Sequence, residues 1–199
     1  MIDEPVGKHW AHVCVDMQML FAPGSEWGLE WMPRVVPNVV RLCEANPARS
    51  IFTRFIPARR ADEAGGRWRD YYRRWHEFTL DEEGRSLIAI VPELRGFSPP
   101  APVVDKAVYS PWFTPPFVDR LRRLQATTII VSGGETDMCV LATVLGAIDW
   151  GYRVILVEDA VCSASDKAHD AILAMFQQRY RQHVETISTS DLLDCISQA

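Results

Sequence analysis

The sequence predicts an α/β protein: a single-domain three-layer αβα sandwich built on a parallel, Rossmann-like sheet. Three observations predict it. Short runs rich in β-branched residues alternate with segments of helical periodicity along most of the 199 residues. Those runs are near-continuously apolar rather than alternating, as in strands covered on both faces. Strands separated by helices require right-handed crossovers, which put helices on both sides of the sheet.

Strand-like runs fall at residues 11–15, 50–53, 103–105, 128–132, 154–157 and 184–188. Between the first two, residues 33–44 read as a helix. Pro33 suits its first turn, and Pro37 stands near the limit of what a helix tolerates. Residues 117–124 form a second helical segment. Residues 138–150 form a third, closed by Gly151. Helical patterns at 166–180 and 191–196 complete the series. No repeat or linker interrupts it, so residues 1–199 read as one domain.

Residues 57–86 depart from the alternation and read as a helical insert. Trp68, Tyr72 and Trp75 share one helical face there, and Arg69 and Arg73 share another. The segment is either a solvated helix packing its aromatics on the sheet edge, or a lid or subunit contact. Trp, Tyr and Arg are enriched at interfaces.

The formal net charge of −5 argues against nonspecific nucleic-acid binding. No apolar run is long enough to span a bilayer, and the acidic start, Met1 to Pro5, lacks a signal-peptide pattern. The five cysteines are scattered, without a C-x-x-C pair, which suits a reducing cytoplasm. Cys14, Cys43, Cys162 and Cys195 read as small core or near-core residues.

The stretch from Ile129 to Val140 carries the most chemical information. An apolar run ends in Gly133-Gly134, and Cys139 follows in what reads as a first helical turn. Free N–H groups and the positive helix end there favour a thiolate. A lone cysteine is more often a buried core residue. Two other strand ends shift the balance. Val13-Cys14-Val15-Asp16 ends one apolar run in a carboxylate, and Val103-Val104-Asp105-Lys106 ends another in a lysine. In a parallel sheet the carboxyl ends of the strands share one edge, where ligands bind. Asp16, Lys106 and Cys139 can therefore converge as a base, an ammonium and a nucleophile.

With these residues in place, the chain resembles the isochorismatase-like cysteine hydrolases, the superfamily of nicotinamidases and N-carbamoylsarcosine amidohydrolases. The resemblance covers nearly the whole chain. It runs through Val15-Asp16-Met17-Gln18 with Phe21, Thr53-Arg54, Pro92-Glu93-Leu94, Asp105-Lys106 with Tyr109-Ser110, Gly133 to Val140, and Val157-Glu158-Asp159-Ala160. It implies a six-stranded parallel sheet and a catalytic triad of Asp16, Lys106 and Cys139. It also implies a cis peptide at Gly134–Glu135, an oxyanion hole from the backbone N–H groups of Glu135 and Cys139, and a homodimer or homotetramer.

Zinc-binding members of the superfamily carry Asp-x-His just after Thr-Arg. Here Thr53-Arg54 is followed by Phe55-Ile56-Pro57, and neither Phe55 nor Pro57 can ligate a metal. No close ligand pair occurs among the histidines; His9, His12, His169 and His183 read as packing or surface residues, and His76 lies too far along to restore the pattern. A site without metal or cofactor is expected. Members that hydrolyse the isochorismate vinyl ether lack the cysteine, so Cys139 points to cleavage of a C–N amide or carbamoyl bond in a small molecule. The alternatives are vinyl-ether hydrolysis and a catalytically idle binding protein on the same fold. A thiol redox protein is a further reading, but no resolving cysteine stands near Cys139 in sequence. Gln18, Phe21, Trp27 and Trp112 are candidate pocket residues, the three aromatics equally suited to core packing. Glu135 either meets a cationic or amino-bearing substrate or faces solvent.

Overall fold

Residues 4–197 are described by a computed structural model. Its six strands are β1 (Trp10–Val15), β2 (Ser50–Phe55), β3 (Val103–Lys106), β4 (Thr128–Gly134), β5 (Arg153–Cys162) and β6 (Val184–Ile187). They form one sheet ordered β3-β2-β1-β4-β5-β6, and every pairing is parallel. The chain winds outward from β1 to β3, then returns to the other side of β1 with β4. The topological switch point therefore lies between β1 and β4.

Alternate residues of the buried strands feed two separate cores. Trp10, Cys14, Phe52, Ile130 and Ile155 face α1 (Met32–Ala45) and α8 (Thr189–Ser197). Ala11, Val13, Ile129, Val131 and Leu156 face the other layer. That layer holds α5 (Pro115–Arg123), α6 (Leu141–Asp149) and α7 (Asp166–Arg179). Burial of both strand faces is what the continuous apolar runs dictate. α1 forms despite Pro37, which stands inside it.

One polar group is built into the first core. His12 lies on β1 with 1% exposure, its Nδ1 3.1 Å from Ser50 Oγ and its Nε2 2.7 Å from Ser132 Oγ. The two hydroxyls satisfy the ring. Burial pulls the imidazole down to about 3, so it is neutral at ordinary pH.

Two elements differ from the sequence expectation. β5 extends five residues past 157, to Cys162, through the exposed pair Glu158 and Asp159. A polar pair reads as a strand end, but here the pairing shifts register between Val131 and Gly133 and resumes at Val161 and Cys162. Asp159 meanwhile accepts hydrogen bonds from the backbone N–H and the hydroxyl of Thr189, at the start of α8. The insert at 57–86 contains four short helices or turns rather than one helix. They include α2 (Arg67–Arg74) and α3 (Gly84–Leu87); the short α4 (Pro92–Arg95) follows the insert. Tyr72 of α2 is buried with Leu20, Phe55 and Phe78 in a third cluster, and Trp68, Tyr71 and Trp75 pack against it. The insert's aromatics thus close over the carboxyl end of β2.

Candidate active site

Asp16 follows β1 immediately, in a left-handed turn with φ 48°. Its side chain is fully buried. Thr53, on the neighbouring β2, holds it from two sides: Oγ1 donates to Asp16 Oδ1 at 2.6 Å and accepts from the Asp16 N–H at 3.2 Å. Lys106, the last residue of β3, reaches across β2 to the same carboxylate. Its Nζ donates to Asp16 Oδ2 at 2.6 Å, to the Val108 carbonyl at 3.1 Å and to Cys139 Sγ at 3.4 Å. Neither charged side chain exposes any surface to solvent. A lysine at an edge-strand end would ordinarily extend to water. This one is anchored inward, its ammonium 5.3 Å from the centre of the Phe55 ring.

Cys139 arrives from β4. Gly133 takes φ +109°, and a Cβ built on it would lie 2.1 Å from the Val15 carbonyl oxygen. Only glycine lets β4 lie this close to the end of β1. The Gly134–Glu135 peptide is cis. The chain then winds a π-helical turn over Thr136–Val140, with the Val140 N–H bonded to the Glu135 carbonyl at 3.0 Å, before α6 begins at Leu141. Cys139 thus sits in a wide turn ahead of the α-helix, not in the helix's own first turn. The Thr143 hydroxyl donates to the Cys139 carbonyl at 2.7 Å and ties this turn to α6.

The electrostatics reverse one expectation. Position near a helix start favours a thiolate, yet the Cys139 thiol is pushed well above its ordinary range. Burial is the main cause, the Asp16 charge adds to it, and Lys106 only partly offsets the two. Lys106 is held above its usual value: burial works to lower it, but the negative charges of Asp16 and Cys139 outweigh that. The Asp16–Lys106 ion pair thus lies directly beside the Cys139 sulfur, where burial and the Asp16 charge both favour the thiol form.

Cys139 opens into a cavity of about 110 Å³. Its walls are Phe21, Trp27, Phe55, Tyr71 and Tyr109, with Glu26, Glu135, Met138 and Ala164. Phe21 and Trp27 thus lie where the sequence placed them. Two other candidates do not. Gln18 has no exposed surface: its amide donates to the Phe55 and Ile88 carbonyls, both at 3.0 Å, and accepts from the Phe55 N–H at 2.7 Å. It clamps the end of β2 rather than lining the pocket. Trp112 packs on the α5–α6 side, where its Nε1 donates to the Thr143 carbonyl at 2.8 Å. Its ring lies against Gly146 and meets Phe117 edge-on at 5.1 Å. Sequence reasoning missed Tyr71 and Tyr109, which come from the insert and from the loop after β3. It also missed the role of Phe55 and the hold of Thr53 on Asp16. The Thr-Arg pair at the end of β2 was the available signal for Thr53.

A larger cleft of about 560 Å³ lies at the amino ends of β5 and β6, between residues such as Gly151, Arg153 and His183. It is at the edge opposite Cys139, and no cysteine, serine or threonine lines it. Among the described residues no three His, Cys, Asp or Glu side chains gather closely enough to hold a metal ion. Phe55 turns a ring, not a donor, toward the cavity, so this site does not fit a metal. No helix among the described residues is long and apolar enough to cross a membrane.

The isochorismatase domain model matches residues 10–190. The chain belongs to the isochorismatase family. Solved structures with the isochorismatase-family fold include a cysteine hydrolase from Pseudomonas syringae pv. phaseolicola 1448A. It is 23% identical with a TM-score of 0.81, over 100% of this chain and 99% of that one. An N-carbamoylsarcosine amidase from Thermoplasma acidophilum is 22% identical with a TM-score of 0.73, over 91% and 96% of the two chains. A nicotinamidase pyrazinamidase from Acinetobacter baumanii is 21% identical with a TM-score of 0.71, over 93% and 98%. A search of curated protein sequences gave no match.

Proposed function

We propose that this isochorismatase-family protein hydrolyses a C–N amide or carbamoyl bond of a small molecule through a thioester on Cys139. The observation that carries the reading is a single contact set. One buried ammonium lies 2.6 Å from Asp16 Oδ2 and 3.4 Å from Cys139 Sγ, and that sulfur opens into the cavity. The amidase names among the structural neighbours support the same bond class.

In this reading Asp16 takes the thiol proton, and the thiolate attacks the carbonyl carbon. The carbonyl electron pair moves onto oxygen, where the backbone N–H groups of Glu135 and Cys139 receive it. The oxyanion collapses, the C–N bond breaks, and Asp16 returns its proton to the leaving nitrogen. A water then gives a proton to Asp16 and its oxygen to the thioester carbon. Collapse of that second oxyanion releases the carboxylic acid and the thiolate, which regains the proton from Asp16. Lys106 stays charged throughout and stabilises whichever anion is present.

The test is to trap the intermediate. Asp16→Asn treated with an activated ester should carry one acyl group on Cys139 by mass spectrometry, and the adduct should persist. Cys139→Ala should take up none and should not release ammonia from any amide. Rapid deacylation by Asp16→Asn would mean another group activates the water. Acylation of Cys43 or Cys195 in place of Cys139 would remove the nucleophile assignment.

A further inference from the structure

We infer that the Cys139 cavity selects substrates with a positively charged group, a small alkylammonium, beside the scissile carbonyl. The inference rests on the proposed Cys139 chemistry for its orientation, and on the cavity walls for its charge. Five of the ten lining residues are aromatic. The Trp27 ring is the hub, with centroids 6.2 Å from Phe21, 6.3 Å from Phe55 and 5.8 Å from Tyr71. One face of Trp27 is stacked on Phe78 at 4.1 Å, and its ring lines the cavity with those of Phe21, Phe55, Tyr71 and Tyr109; an aromatic-lined pocket is how proteins hold alkylated ammonium groups.

The charged residues of the wall agree with the rings. Both are acidic. Glu26 is exposed at the rim, and Glu135 is half-buried beside Cys139. The Glu135 carboxylate accepts from the Ala164 N–H at 3.2 Å, and no cation among the described residues pairs with it. Burial raises its protonation range, which is the cost of a carboxyl group kept in an aromatic pocket without a counter-ion. A bound cation would supply that counter-ion. No Lys, Arg or His lines the cavity. Lys106 lies beneath it with its side chain fully buried and its donors committed to Asp16, Val108 and Cys139. A substrate carboxylate would therefore find two like charges and no partner.

The experiment uses three matched amides: betaine amide, its uncharged carbon isostere 3,3-dimethylbutanamide, and the anionic malonamate. Turnover is read as ammonia release, and binding as calorimetric titration of the Cys139→Ala protein, which needs no chemistry. Betaine amide should bind at least about tenfold more tightly than its isostere, with malonamate weakest. Glu135→Gln should cut the ratio of cation to isostere by about tenfold, whatever it does to either compound alone. Equal binding of the charged and uncharged isosteres, or preference for malonamate, overturns the inference. Selective binding without ammonia release from any amide leaves the cation preference standing and removes the amide-cleavage reading. Turnover of all three at equal efficiency does the reverse.

Discussion

The ion pair between Lys106 and Asp16 makes a quantitative demand on stability. Both side chains are fully shielded, and they meet at 2.6 Å. Lys106→Met keeps an unbranched chain of similar length against Phe55 but leaves the Asp16 carboxylate buried with only the neutral Thr53 hydroxyl and Cys139 thiol as side-chain donors. Removing one partner of a buried pair typically costs about 3–5 kcal/mol. Asp16→Asn strands the ammonium in the same way. The double variant strands neither charge, so its loss should fall short of the sum of the singles by at least about 2 kcal/mol. Urea denaturation of the four proteins closes the cycle. A control lies one residue earlier on β3, where Asp105 pairs with Arg54 of β2. Arg54 and Asp105 pair at 2.7 Å, but with 26% and 50% of their side chains exposed. Their coupling should stay below about 1 kcal/mol. Additivity of the Lys106 and Asp16 losses to within about 0.5 kcal/mol would refute the reasoning. It would mean that water or a rearrangement reaches the carboxylate when the ammonium is gone.

Three further outcomes are expected. Gly146→Ala would put a Cβ 2.1 Å from Trp112 Cδ1, so the variant should lose about 1–3 kcal/mol in urea and shift its tryptophan fluorescence; unchanged stability would show that the indole moves freely. Burial holds His12 neutral in the fold down to about pH 3, while in the unfolded chain it protonates near its ordinary value of 6.5. Its contribution is thus complete above pH 6.5 and is lost as pH falls toward 3, at up to about 1.4 kcal/mol per pH unit. A urea midpoint equal at pH 7 and pH 5 would contradict that. On the proposed chemistry Thr53→Val should lower kcat about tenfold or more with little change in KM, and Thr53→Ser should restore it, because the hydroxyl only holds Asp16 in place. An equal loss in both variants would point to packing instead.

Strand ends were legible because period and edge are. A continuous apolar run identifies a doubly covered strand, and the residue after it must fall on the sheet's carboxyl edge. That logic brought Asp16, Lys106 and Cys139 to one edge although 123 positions separate the first from the last (139 − 16). Side-chain direction after a strand end was not legible. Gln18 stands two residues beyond Asp16, but its amide turns inward because the Phe55 N–H and two carbonyls need partners. Trp112 follows the lysine strand closely, yet the missing Cβ of Gly146, more than thirty residues on, makes the space its ring fills. Tyr71 reaches the cavity only because an irregular insert folds back over β2. The insert's periodicity showed an aromatic face without showing what that face would cover.

The placement of one positive charge decides how this site can work. Lys106 lies within reach of two acids, Asp16 at 2.6 Å and Cys139 at 3.4 Å. The nearer carboxylate takes the ammonium, and burial together with the Asp16 charge favours the protonated thiol. Moving the proton from sulfur to Asp16 does not change the net charge of the three groups. It transfers the lysine's partner from a carboxylate to a thiolate within one buried cluster. That exchange needs no counter-ion from solvent, so it can occur after a substrate has closed the cavity. On that chemistry Lys106 is committed to Asp16 and Cys139 when a substrate binds, and is not free to receive a substrate carboxylate. The walls above it offer Glu26 and Glu135 and no cation. On the proposed chemistry, catalytic charge balance and the inferred substrate charge preference share one origin: the lysine at the base of the pocket is held by Asp16 before substrate arrives.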